Sequence, residues 1–174
     1  MSHVSLSNQR PPVNQVANHF LLMTNEGSGD VITNLKLQKL CYFGQAFHFA
    51  NYNAPMFDEP FEAWAHGPVV RKLWRRFTKF GWQAIDTTDC GGLQTDQLTA
   101  AAENVLDTVW DKLGHWEARQ LEAYTHAHAP WKDLRKGLRP EEKCTAEITH
   151  DAMRKFYCAG DFPKLFAVPA RTAH

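Results

Sequence analysis

The residues able to do covalent or metal chemistry are scattered along this chain. Its only serines, Ser2, Ser5, Ser7 and Ser28, fall in the polar start or the first loop. None lies where a rigid element would hold it against a histidine base, as hydrolysis by a serine nucleophile requires. A cysteine nucleophile needs a histidine partner and an electropositive setting to become thiolate. Cys41 falls on an apolar helical pattern, and Cys144 has no recognisable signature around it. No CxxC spacing links Cys41, Cys90, Cys144 and Cys158, which reads as four reduced thiols, two of them packed. Nine histidines raise the question of a metal. The closest pair is His126 and His128, but i,i+2 side chains on a helix point to different faces. There is no HExxH, no Cys/His quartet and no glycine-rich phosphate loop. A histidine bonded to backbone near the break at Pro130 is the plainer role for that pair. No catalytic residue, metal site or cofactor is expected.

Two other features could do recognition chemistry. Arg71, Lys72, Arg75, Arg76 and Lys79 follow one another with no acidic residue among them. On a helix over 68–80 they form a basic stripe, which suits an acidic protein or nucleic acid, or is simply a solvated face. Nineteen basic residues balance nineteen acidic ones, which argues against a dedicated nucleic-acid binder. The second feature is aromatic. Trp64-Ala65-His66-Gly67-Pro68-Val69-Val70 and Thr125-His126-Ala127-His128-Ala129-Pro130-Trp131 each combine tryptophan and histidine with turn-forming residues. Their tryptophans are either buried anchors at helix starts or parts of a preorganised surface.

The elements that must position these residues are mostly helices. Val13, Val16, Ala17, Phe20 and Leu21 predict a first helix from Pro12, leaving by Glu26-Gly27-Ser28-Gly29. Residues 34–51, capped by Thr33 or Asn34, are apolar over most of their girth, interrupted by Lys36, Gln38, Lys39, Gln45 and His48. Such a helix is normally surrounded, so it is the expected central core helix, with Gly44 admitting another backbone closely. Phe61–His66 alternates weakly as a short strand, and Gly67-Pro68 is expected to open the basic third helix. A loop covers 82–94. Further helices are expected from near Thr95 to Gly114, over Trp116–His128, from Pro130 to Gly137 and over Thr149–Gly160. The sum is a mainly α, single-domain bundle of about seven helices around a central buried helix, with at most a short β element. With 44% hydrophobic and 22% charged residues, no apolar run of about 20 residues and no export-like start, the expectation is a soluble cytoplasmic domain without membrane association.

Three blocks carry a resemblance: Leu35-Lys36-Leu37-Gln38-Lys39-Leu40-Cys41-Tyr42-Phe43, then Phe61-Glu62-Ala63-Trp64-Ala65-His66-Gly67-Pro68-Val69-Val70, then Thr125-His126 followed by Pro130-Trp131. In order and spacing the chain resembles the Panacea antitoxin domain family, with its SocA-like antitoxin and protease adaptor branch and its phage-associated GepA-like proteins. The resemblance covers roughly residues 12–160, leaving a flexible 1–11 and a proline-containing tail, 161–174. It implies a helical antitoxin that holds a toxin protein directly, the toxin usually being encoded by an adjacent gene. In one branch it implies delivery of that toxin to an ATP-dependent protease such as ClpXP. It implies no catalytic residues. The residues expected to face a partner are Trp64, His66, Val69, Arg71, Arg75, Lys79, His126 and Trp131. The alternative is a nucleic-acid-associated regulator using helix 68–80. The tail, with Phe162, Leu165 and Phe166 around two prolines, either packs on the core or serves as a docking peptide.

Overall fold

A helix buried on nearly every side forms the axis of the molecule. It is α2, Asn34–Tyr52, in a computed structural model that describes residues 9–24 and 30–171. The Thr33 side chain accepts the Lys36 N–H at 3.2 Å to start it, and Asn53 in the left-handed conformation ends it. Around it pack α1 (Val13–Met23), α4 (Ala100–Leu113), α5 (Ala118–His126) and α7 (His150–Tyr157), as expected of a central helix. Smaller elements complete the shell: α3 (Arg71–Arg76), α6 (Ala129–Lys132) and α8 (Phe162–Leu165). The fold is mainly α, with eight α-helices among the described residues.

Burial of α2 on all sides means that its polar side chains must find partners inside. Gln38 accepts the Val70 N–H at 3.0 Å. Gln45 accepts the Met56 N–H at 2.6 Å and donates to the Phe57 carbonyl at 2.9 Å. Lys36 donates to the Gly114 carbonyl at 2.6 Å, and Lys39 to the Pro68 carbonyl at 2.9 Å. These four read in the sequence as interruptions of an apolar face. They are instead buried ties from the core helix to the segments that wrap it. Gly44 does admit a close neighbour, but it is a side chain. A Cβ there would come within 2.9 Å of Leu106 on α4.

The β element is a three-stranded antiparallel sheet, β1 (Phe61–Trp64), β2 (Gly67–Val69) and β3 (Glu147–Ile148), in the order β2-β1-β3. Trp64 pairs with Gly67, so Ala65 and His66 form a two-residue hairpin turn. Gly67-Pro68 therefore does not open a helix, contrary to expectation. Gly67 has φ +101, a value that side chains disfavour, and Pro68 is tolerated because β2 is an edge strand. The basic helix α3 starts only at Arg71, runs six residues and gives way to a 3₁₀ turn over 78–80.

Other boundaries moved for visible reasons. α4 starts at Ala100, capped by Thr99, because residues 94–97 are tied to α1: Asn18 donates to the Gln94 carbonyl at 2.9 Å, and Gln15 accepts the Gln97 N–H at 2.6 Å. The stretch after Gly160 holds its own short helix, α8, with Pro163 in its first turn where a missing N–H costs nothing. Phe166 follows it and stacks on Phe47 at 4.0 Å, only 3% exposed, so the described part of the tail packs on the core. The expected frayed start, 1–11, lies outside the described residues up to residue 8, as does the glycine-rich exit after α1. No helix among the described residues is long and apolar enough to cross a membrane.

Candidate functional site

The Ala65-His66 turn is where the three sequence blocks meet. From α2 comes Lys39, fully buried, whose ammonium donates to the Pro68 carbonyl just beyond the turn. From α5 come Glu122 and Thr125. A Cβ on Gly67 would lie 2.5 Å from Lys39 Cε and 2.9 Å from Thr125 Oγ1, so only glycine lets the hairpin settle on these two side chains. From α6 comes Trp131, whose Nε1–H donates to the Trp64 carbonyl at 2.8 Å. The His126 ring lies flat on Trp131, centroids 3.8 Å apart. Arg135 donates to the Ala63 carbonyl at 3.0 Å and with its other arm to the carbonyls of Arg139, Pro140 and Glu142, fixing that loop beside the hairpin.

The electrostatics centre on one carboxylate. Glu122 Oε1 lies 3.0 Å from His66 Nδ1 and 3.8 Å from His126 Nε2. Burial pushes the Lys39 ammonium down to about 7, with attraction to Glu122 opposing the shift. Burial also lowers His126, again against the pull of Glu122. His126 Nε2 is itself buried and has no hydrogen-bond partner among the described residues. His128 does not bond backbone: its Nδ1 lies 2.9 Å from the Tyr157 hydroxyl, and burial holds it down to about 4.

The predicted site residues divide into anchors and surface. Val69 and Trp131 are interior, 1% and 9% exposed, so they shape the site without presenting themselves to a partner. Trp64 is half-buried, with its indole N–H on Glu62 and the Arg71 guanidinium 5.5 Å over its ring. His66 is exposed at the tip of the turn, and His126 is half-buried below it. The basic run is not a continuous stripe. Arg71 grips Glu62 with a two-pronged contact at 2.8 and 3.1 Å, Arg76 turns inward to Asn18 at 2.7 Å, and Lys79 pairs with Asp89 at 3.0 Å. Arg75 stays exposed on α3, away from the turn and its flanking clefts.

Two clefts flank the turn and share Ala65, His66 and Glu141. One, of about 640 Å³, runs between the turn, Glu122, His126, Trp131 and the 132–141 segment. The other, of about 370 Å³, is walled by Leu35, Trp64, Trp74 and Trp82 and by residues 141–145. In it the Trp64 and Trp74 rings lie 5.6 Å apart and those of Trp74 and Trp82 lie 6.5 Å apart. Trp82 is 71% exposed. Sequence reasoning missed Trp74, Trp82, Lys39 and Glu122 as parts of this site. A lysine inside an apolar helical face and a tryptophan following glycine in a loop were the available signals.

Little here favours covalent catalysis. Burial raises the Cys41 thiol far above its ordinary range, which suppresses the thiolate. Among the described residues, no three His, Cys, Asp or Glu side chains converge as metal ligands would. The arrangement is a rigid ridge between two clefts, suited to holding a partner.

The family model described as "Antitoxin SocA-like, Panacea domain" matches residues 37–132, which include Lys39, the hairpin, Glu122 and Trp131. Antitoxin SocA of Caulobacter vibrioides (strain NA1000 / CB15N) is 32% identical, the match covering 67% of this chain and 68% of that protein. No solved structure matches the chain.

Proposed function

Because the chain belongs to the SocA-like Panacea antitoxin family, we propose that it neutralises a toxin protein by direct binding over the surface around the Ala65-His66 turn. The observation that carries this reading is the convergence of all three sequence blocks on one hairpin, fixed from below by Lys39, Thr125, Trp131 and Arg135. A ridge held this firmly loses little conformational freedom on binding, so contact energy goes into affinity. Trp74 and Trp82 at its edge are of a residue type that dominates interfaces when a partner desolvates it.

Binding of protein is favoured over binding of nucleic acid by the fate of the basic run. Among the described residues, Arg71 and Arg76 are committed to part-buried intramolecular partners and Lys79 is held in an exposed pair with Asp89, which leaves Lys72 and Arg75 without a partner in that segment. Two isolated cations make a weak phosphate track. The toxin of this reading is encoded beside the antitoxin gene, and both act in the cytoplasm. Handover of the bound toxin to an ATP-dependent protease such as ClpXP is a further step, suggested by resemblance to the adaptor branch of the family.

The test is co-expression with each neighbouring reading frame. One of them should arrest growth alone, grow normally with this chain and co-purify with it. If the toxin's half-life lengthens when the protease is deleted, the handover step stands. If no neighbour is toxic, or rescue occurs without a complex, direct neutralisation is wrong.

A further inference from the structure

The chain is neutral, but the face around the hairpin turn is not. The two clefts are lined by six lysine and arginine residues, Arg71, Lys132, Arg135, Lys136, Arg139 and Lys143, against two glutamates, Glu122 and Glu141. Glu122 is turned toward His66 and His126, and Arg135 is spent on backbone carbonyls. What remains outward is net cationic, four basic side chains against the exposed carboxylate of Glu141. Lys132, Lys136, Arg139 and Lys143 are all exposed. Among the described residues, Lys136 pairs only with Asp133 at 3.2 Å, and Arg139 only loosely with Glu141 and Glu142 at 3.8 and 3.7 Å. Such solvent-exposed pairs are weak and exchange readily for an incoming carboxylate. The neighbouring cleft is of the opposite kind, with apolar walls of Leu35, Trp64, Trp74 and Trp82.

Resting on the antitoxin reading, we propose that the partner enters as an acidic, extended segment lying across the Ala65-His66 turn. One aromatic or long aliphatic side chain of that segment fills the tryptophan cleft. Its flanking aspartates or glutamates lie over Lys132, Lys136 and Arg139. The shared residues Ala65, His66 and Glu141 make the clefts two sides of one ridge, so a few residues of extended chain span both. The apolar anchor supplies affinity, while the cations select acidic segments and speed their arrival.

The experiment is selection of a random dodecapeptide library on the full immobilised chain, followed by fluorescence-polarisation titration of the enriched peptides. Enriched peptides should carry an aromatic, leucine or methionine residue flanked by acids. Their affinity should fall by about tenfold or more in the Lys132→Glu/Lys136→Glu/Arg139→Glu variant and in Trp82→Ala, and should fall with salt. Arg75→Glu, outside both clefts, should leave it unchanged. Thermal melts matching the parent show that these surface variants are folded. Peptides without acidic enrichment, no enriched peptide, equal binding to the triple variant, or displacement by duplex DNA would each overturn the proposal. So would full neutralisation of the toxin by the triple variant, and that result leaves the antitoxin reading intact.

Discussion

Replacing Lys39 by methionine should change how the stability of this protein depends on pH, and the size of the change follows from the site. The Lys39 ammonium is fully buried and held down to about 7, whereas in the unfolded chain it keeps its ordinary value of 10.5. Between those values the unfolded chain binds a proton that the folded chain has released, so stability rises with pH across the window. Each pH unit well inside it contributes up to about 1.4 kcal/mol, and the rise from pH 6 to pH 8.5 comes to about 2 kcal/mol. For a domain of this size that is a Tm increase of roughly 4–8 °C. The window closes near pH 9, because burial suppresses ionisation of Cys41, Tyr42 and Tyr157 in the fold while the unfolded chain ionises. Calorimetry of parent and Lys39→Met from pH 6 to 8.5 should show a rise smaller by about 2 kcal/mol in the variant, whose remaining slope belongs to the histidines that burial lowers, His128, His126 and His48. Methionine gives up the bond to the Pro68 carbonyl, worth about 1–3 kcal/mol as an unsatisfied group, but removes a larger cost of burying charge. The variant should therefore match or exceed the parent at pH 6. An identical rise in both proteins would refute this account of Lys39.

The remaining expectations concern anchors and packing. Trp131→Ala should cost about 3–5 kcal/mol in urea denaturation, whereas Trp82→Ala should stay within about 0.5 kcal/mol, since one ring is interior and the other mostly in water. Acid should weaken the fold between about pH 6.5 and 4, because the unfolded chain protonates His128 while burial keeps it neutral in the fold; His128→Phe should flatten that part of a pH titration followed by circular dichroism. A chain ending at Gly160 should lose about 3 kcal/mol or more, because it removes Phe166 from Phe47 and the two backbone bonds to Asn51; an unchanged melt would show that the tail only rests on the surface.

The helical frame was legible because periodic apolar residues report burial directly. Leu37, Leu40, Phe43 and Phe47 could only belong to a core helix, Thr33 caps it as expected and Thr149 precedes the last long helix, whereas the fourth helix starts after Thr99 and not near Thr95. What periodicity could not show was the pairing of buried polar groups. Lys39 and Gln38 look like breaks in an apolar face until their partners, 29 and 32 residues away, are in place. The Gly67-Pro68 pair is ambiguous by chemistry, since proline suits both the first turn of a helix and an edge strand. The turn geometry decided it, through the left-handed φ of Gly67 and the lysine beneath it. At the site, sequence blocks found His66, Trp64, His126 and Trp131, but local sequence does not distinguish an anchor from a contact. Trp131 and Val69 proved to be anchors, and Trp82, in a loop without pattern, is the exposed ring.

The claim that this antitoxin binds its toxin over the hairpin ridge is tested most directly by a neutralisation assay on a variant altered only at exposed side chains. Trp82→Ala/His66→Ala removes two exposed rings beside the turn and leaves the anchors Lys39, Trp131 and Arg135 in place. Co-expressed with the toxin gene, this variant should fail to restore growth while melting within a few degrees of the parent. Full restoration of growth by the folded double variant would contradict the account.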